Sequence, residues 1–327
     1  MTKLRTYLAS ALLATAGFAA HAEELVVSNF GVSANGMPFG VAMAKGYFKA
    51  EGLNITGLIS SAGGGTTLRN MLAGSGSPYG EVNPVAVVSA VMAGADLRIV
   101  SDNVLTVAEF VWAVRADSSI KTIKDLKGKK MGYTNPRSTS QALANLMLER
   151  AGYKPGEVEM IKTGGFGEGV AALESGQVDI VPITEPLWSK YKGKFRAVVV
   201  ATEALPPLGN VVGVTTAEHA EKNGEFIRAV IRARRKAVIF MRENPDEAAE
   251  IVAKQFNIDR DVAKSSILNL TKTKTEGVEY WGEGGIHLTG LKRMIDAQRK
   301  VGAITGDVDW TKLIDTRFLP ADLKTVK

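Results

Sequence analysis

Two stretches of the chain repeat one supersecondary pattern. Gly63 to Gly76 reads GGGTTLRNMLAGSG, and Gly164 to Gln177 reads GGFGEGVAALESGQ. Laid over one another, they match Leu72 with Leu173, and both helical runs end in a Gly/Ser turn. Upstream of each copy, a helical run stops at a Gly-Tyr pair, Gly46-Tyr47 and Gly152-Tyr153. No third unit follows, which separates the pattern from a solenoid. The echo implies two α/β lobes built alike.

The chain in order supports that reading. Glu24 to Asn29 is a short strand, Met37 to Tyr47 a helix with Gly46 as its stop, and Leu53 to Ile59 a strand before the first Gly-rich turn. Strand, loop, helix, strand, Gly-rich turn, helix is the grammar of a parallel α/β sheet. Val85 to Met92 reads as a helix, and Leu97 to Ser101 and Glu109 to Arg115 as strands. After the second copy, Val178 to Ile183 and Ala197 to Ala201 are strands, and Asn210 to Thr215 follows a Pro206-Pro207 loop. Crossings between lobes are expected near residues 111 to 115 and 210 to 215. Everything after residue 217 reads as helical, with Trp281 in a YWGEGG loop.

Met131 to Gly152, MGYTNPRSTSQALANLMLERAG, reads as a buried strand, a tight turn at Asn135-Pro136, and a helix. Ser138, Thr139 and Ser140 supply side-chain oxygens where the first backbone N–H groups of that helix lack partners. Unpaired N–H groups, hydroxyls and the positive end of the helix dipole can together hold an anion, with Arg137 as a fork for a carboxylate or sulfonate. The same residues also make an ordinary capped helix whose Arg137 faces water. Similar pairs of readings hold elsewhere: Gly63 to Gly65 as a tight turn or a point of ligand approach, Asn83 as a cap or a contact, Trp188 as core or cleft wall. Glu185 opposes the anion argument, since a cleft carboxylate prefers an amine, a hydroxyl or a water bridge.

The 327 residues allow two domains. Lys3 and Arg5, an apolar run from Tyr7 to Ala20, and Ala20-His21-Ala22 have the form of a secretory signal cleaved after Ala22. The chain has no cysteine, hence neither disulfides nor a lipid-attachment thiol, and the reading is a free periplasmic protein. Removal of Lys3 and Arg5 lowers the formal charge from +6 to +4, a small excess that favours encounter with anions. The basic run Arg232, Arg234, Arg235, Lys236 reads as a solvated helix face, and no nucleic-acid partner is expected.

Catalytic chemistry has no positive signal. His219 and His287 are far apart without a paired spacing, so no metal site and no cofactor are expected. There is no P-loop, no GxGxxG and no GxSxG.

With these motifs in view, AMAKGYFKAEGLNI, GGGTTLRNMLAG, IKDLKGKKMGYTNPRSTS, AGYKPGEVEMI and ALESGQVDIVPITEPLW together resemble the periplasmic binding proteins of ABC importers. The resemblance is to the group for nitrate, alkanesulfonates and taurine, which also includes binders of thiamine pyrimidine precursors. It runs from about Glu23 to DTRFLP. It implies a two-lobed type II periplasmic binding protein fold: a signal at 1–22, lobe I at 23–112 and 213–327, and lobe II at 113–212. The helical C-terminal region would pack on lobe I and the ligand lie between the lobes. It also implies ligand contacts at Ser33, Asn35, Gly64, Thr66, Asn83, Asn135, Arg137, Ser138, Thr139, Glu185 and Trp188, with a membrane permease as partner and a monomeric state. The function implied is hinge closure on a small organic anion. The alternatives are a heterocycle read by Glu185, or an enzyme on the same fold like the fungal thiamine-pyrimidine synthases, whose histidine and cysteine-rich segment this chain lacks.

Overall fold

The computed structural model describes residues 23–61, 64–73 and 79–327. The expected signal segment, Gly63 and the turn at 74–78 lie outside the described residues. Strands, numbered in chain order, are β1 (Glu23–Ser28), β2 (Ile55–Ser61), β3 (Gly80–Val82), β4 (Leu97–Val104), β5 (Phe110–Arg115), β6 (Lys130–Tyr133), β7 (Glu159–Lys162), β8 (Val181–Thr184), β9 (Phe195–Val200), β10 (Val211–Thr216) and β11 (Trp281–Gly284).

They form two sheets. Lobe I has six strands in the order β11-β4-β10-β3-β1-β2. Its β3, β1 and β2 run parallel, and β10 returns antiparallel between β3 and β4. In lobe II, β8-β5-β9 is joined to the parallel pair β6-β7 through a parallel bridge between Met131 and Ile180. The parallel segments read as apolar runs because helices cover them: Leu25, Val26 and Val27 of β1 are fully buried. Gly46 (φ 68°) and Gly152 (φ 89°) adopt left-handed backbone just past their helices, as the Gly-Tyr repeat anticipates.

Three expectations are corrected. The chain leaves lobe I between β4 and β5, over residues 105–109, so 111 to 115 already lies within the second sheet. It returns over residues 205–210, ahead of β10. The segment after residue 217 is not wholly helical: Trp281 begins β11, an edge strand against β4, and its indole N–H donates to the Ala34 carbonyl at 3.1 Å.

The third correction concerns the basic run on the Gly224–Glu243 helix. Arg232, Arg235 and Lys236 form surface ion pairs with Glu51, Glu225, Glu283 and Asp322, but Arg234 is only 2% exposed. Its guanidinium donates to the carbonyls of Gly282 and Asn103, each at 2.7 Å, and sits 3.6 Å from the Glu81 carboxylate. Asn103 and Asn35 donate to the same carboxylate, at 3.2 and 3.3 Å. Burial pushes the Glu81 carboxyl up to about 7 against the pull of Arg234, and burial lowers Arg234 itself. A buried charge left alone costs far more than the pair contributes. Arg234→Met is therefore expected to lower the unfolding free energy by roughly 3–5 kcal/mol in a urea titration. Adding Glu81→Gln should recover part of that loss; a single-variant loss under about 1 kcal/mol contradicts this account of lobe I.

Candidate functional site

Because β1, β2 and β3 are parallel, their C-terminal ends share one edge of lobe I. That edge carries the 29–36 loop, the start of the Gly64–Leu72 helix, and Asn83 ahead of the Pro84–Met92 helix. β6, β7 and β8 likewise place the starts of the Thr139–Arg150, Phe166–Glu174 and Leu187–Tyr191 helices on one edge of lobe II. Open α/β sheets bind ligands beyond such ends. Here the two edges meet. Asn83 Nδ2 donates to Thr139 Oγ1 at 2.9 Å, the Ala34 N–H to the Glu185 carbonyl at 3.1 Å, and Asn269 Nδ2 to Glu185 Oε1 at 2.7 Å. An exposed ion pair, Lys300 to Glu149 at 2.5 Å, crosses at the rim. The lobes are closed on each other.

On lobe II, Ser138 caps the Thr139–Arg150 helix by accepting the Gln141 N–H at 3.2 Å. The buried Ser140 hydroxyl accepts the Thr134 N–H at 2.9 Å and bridges to Thr134 and Ser138. Arg137 has left-handed backbone (φ 63°), costly for a non-glycine, and its N–H donates to Gln141 Oε1 at 2.7 Å. Its side chain is exposed, as is Asn135, whose amide reaches the Gly164 carbonyl at 3.4 Å. Among the described residues, the N–H groups of Thr139 and Ser140 make no hydrogen bond, so the positive end of this helix points unfilled toward lobe I.

On lobe I, Ser33 is buried beside Ala34, at the contact with Glu185. Asn35 turns away from the interface: its amide donates to the Ser28 carbonyl at 2.8 Å and to Glu81, inside the core. The helix that begins at Gly64 carries Thr66, which accepts from Arg69 Nη2 at 2.9 Å. Among the described residues, neither Arg69 nor Arg137 pairs with a carboxylate. Asn83 is a cap, its Oδ1 accepting the Val85 N–H at 2.8 Å, and it also spans the lobes through its Nδ2. Trp188 is half-buried on the smaller apolar core of lobe II.

The polar chain continues through both connecting segments. Asn83 Nδ2 also reaches the Asn210 carbonyl at 3.2 Å, and Asn210 Nδ2 donates to Glu109 Oε1 at 2.7 Å. The Glu109 carbonyl accepts the Glu185 N–H at 3.1 Å. Burial pushes the Glu109 carboxyl up to about 8, with the Glu185 charge adding to the rise. Its Oε2 is buried without a partner, next to the Tyr280 hydroxyl. Glu109, Asn210 and Asn269, which carry bonds between the lobes and their connecting segments, and Arg69, beside Thr66, are residues of this region that the sequence reading does not name. Only Asn269 left a signal, as a poor helix former inside a helix.

The fold and the facing strand ends are those of a two-lobed binding protein. The chain belongs to the NMT1/THI5-like family, whose model matches residues 33–248. A "Putative binding protein" of Brucella abortus (strain 2308) is 27% identical over 263 residues, 78% of this chain and 79% of that one. Among solved structures, the periplasmic aliphatic sulphonate binding protein SsuA from Escherichia coli superposes with a TM-score of 0.75 at 20% identity, over 90% of this chain and 92% of that one. The desulfurization enzyme DSZB shares the fold at a TM-score of 0.66 and 13% identity, over 90% of this chain and 97% of that one.

Glu109 keeps its proton in the folded state up to about pH 8, whereas an unfolded glutamate loses it near 4.5. The stability this contributes is complete below the unfolded value and is lost as pH rises through the folded one. The melting temperature should therefore fall between pH 5 and pH 8.5, and Glu109→Gln should flatten that fall. The slope left in the variant reports Glu81 and Asp102, buried carboxyls that burial also pushes up and that act with the same sign. Equal slopes in the two proteins contradict a protonated Glu109.

Proposed function

We propose that the protein is a periplasmic receptor of an ABC importer that closes its lobes on a small organic anion, a sulfonate or carboxylate, and delivers it to a membrane permease. The observation that carries closure is the set of direct hydrogen bonds between two strand-end edges, which exist only while the lobes are together. Two covalent crossings, at 105–109 and 205–210, leave those edges free to separate. A ligand that bonds both edges shifts that equilibrium toward the closed form.

The anion class is supported by charge. The unfilled N–H groups of Thr139 and Ser140 stand at the positive end of a twelve-residue helix. Arg137 directly precedes the cap of the Thr139–Arg150 helix on lobe II, and Arg69 lies in the last turn of the Gly64–Leu72 helix on lobe I beside Thr66, with no carboxylate to neutralise either among the described residues. The name of the SsuA neighbour agrees in ligand class. A heterocyclic amine read by Glu185 is less well supported, because that carboxylate already accepts from Ser189 N–H, Ser189 hydroxyl and Asn269. A binding role rather than an enzymatic one also fits the two histidines of the described chain. His219 bonds Asn223 at 2.8 Å and His287 caps the Leu288–Lys300 helix, both in structural posts.

A thermal-shift screen of the chain from Glu23 tests the ligand class, using alkanesulfonates, taurine, nitrate, phthalate, simple carboxylates and thiamine pyrimidine precursors. A ligand at a hundredfold its dissociation constant adds about 2.7 kcal/mol. The expected result is a shift with an organic anion that Arg137→Ala and Arg69→Ala each weaken. A shift given only by a heterocycle or an amine, unchanged in both variants, overturns the anion class and leaves the receptor role standing.

A further inference from the structure

Glu185 bonds to both lobes through its side chain and its backbone. It is 2% exposed, and its carboxylate accepts the Ser189 N–H at 3.1 Å, the Ser189 hydroxyl at 3.1 Å and Asn269 Nδ2 at 2.7 Å. Its backbone N–H donates to the Glu109 carbonyl, and its own carbonyl accepts the Ala34 N–H, each at 3.1 Å. These bonds divide into two sets. Those to Ser189 and Glu109 stay within lobe II and its connecting segment, so they survive opening. Those from Ala34 and Asn269 come from lobe I and break. A carboxylate offers about four acceptor positions, and three are filled by protein donors.

We infer that Glu185 and Asn269 form a closure latch, in which a carboxylate held ready by Ser189 on lobe II receives the Asn269 amide from lobe I, and that Glu185 is not a ligand contact. The inference rests on the reading of the molecule as a hinge-closing receptor. Its functional consequence is specific. A latch stabilises the closed form whatever the ligand, so weakening it lowers the apparent affinity for every ligand by one common factor. Loss of a ligand contact changes selectivity instead. Asn269 is therefore a positioning residue, acting through the closed population and not by touching ligand.

The absence of cysteine makes a clean distance measurement available. Lys192→Cys on lobe II and Lys254→Cys on lobe I, both exposed positions, take spin labels for pulsed electron resonance on the ligand-free protein. A short-distance population is expected, and Asn269→Ala should reduce the closed-to-open ratio about tenfold, the scale of one hydrogen bond to a charged group. Asn269→Asp sets two carboxyls face to face, so it should open the protein at pH 8 and recover part of the closure at pH 5, where the pair shares a proton. Glu185→Gln combined with Asn269→Asp reverses donor and acceptor in the same space and should restore the short distance at pH 8. Recovery of closure by Asn269→Asp itself at pH 5 shows that this single variant folds.

The latch is overturned if the ligand-free protein has no short-distance population, if Asn269→Asp matches the parent at both pH values, or if the double variant fails to restore closure. Ethanesulfonate and taurine, added to the labelled parent, separate this outcome from the receptor reading. A ligand-induced shortening with no effect of the variants removes the latch alone. A distance that neither the variants nor any member of the screening set moves removes the hinge motion with it.

Discussion

The hydrogen bond from the Glu185 N–H to the Glu109 carbonyl ties the strand-end edge of lobe II to a segment that connects the two lobes. From it a polar chain runs in both directions. One arm passes from Glu109 to Asn210, Asn83 and Thr139, and the other from Glu185 to Ala34, Asn269 and Ser189. Buried polar groups need partners, and in this region the partners belong to different lobes or to the two connecting segments. Closure is thus the state in which the polar groups of the interface satisfy one another.

The two lobes are held internally by other means. β1 and the helices beside it bury continuous aliphatic surface, and the Arg234–Glu81 pair inside lobe I is bracketed by Asn35, Asn103 and backbone carbonyls. Such a network is lost only with the fold. Each bond across the interface contributes only about 1 kcal/mol net. A permanent interior and a set of individually weak contacts between edges are the combination that the proposed ligand-driven closure requires. Among the described residues, the unfilled N–H groups at the Thr139–Arg150 helix start, like Glu109 Oε2, are polar features that closure itself does not satisfy.

Much of the fold was legible because its signals are local. Glycine stops, Pro at Pro84 and Pro245, and period-two or period-3.6 apolar spacing mark most strands and helices to within a few residues. Arg234 was misread although its spacing was available: it lies four residues from both Val230 and Val238, on the buried stripe, and only charge argued otherwise. β11 is four residues with two glycines, too short to show alternation, and it exists because β4 needs an edge partner. Of the site, the capping role of Ser138 was readable from sequence, since a cap is a local event. The roles of Asn269 and Asn210 were not, beyond the oddity of an asparagine inside a helix at Asn269, because they depend on groups 84 and 101 residues away in the chain. Asn35, at an expected contact, was claimed instead by Glu81.

The most direct measurement is amide hydrogen exchange at Ala34 across a denaturant series in the ligand-free protein. Its N–H is buried and bonded to a carbonyl of the other lobe, while Val26, in the same lobe, lies in the middle of β1. If the lobes open on the two connecting segments, Ala34 exchanges through a sub-global opening, faster than Val26 and with much weaker denaturant dependence. If Ala34 exchanges with the same free energy and the same denaturant dependence as Val26, the lobes separate only on global unfolding, and the hinge-closing account is wrong.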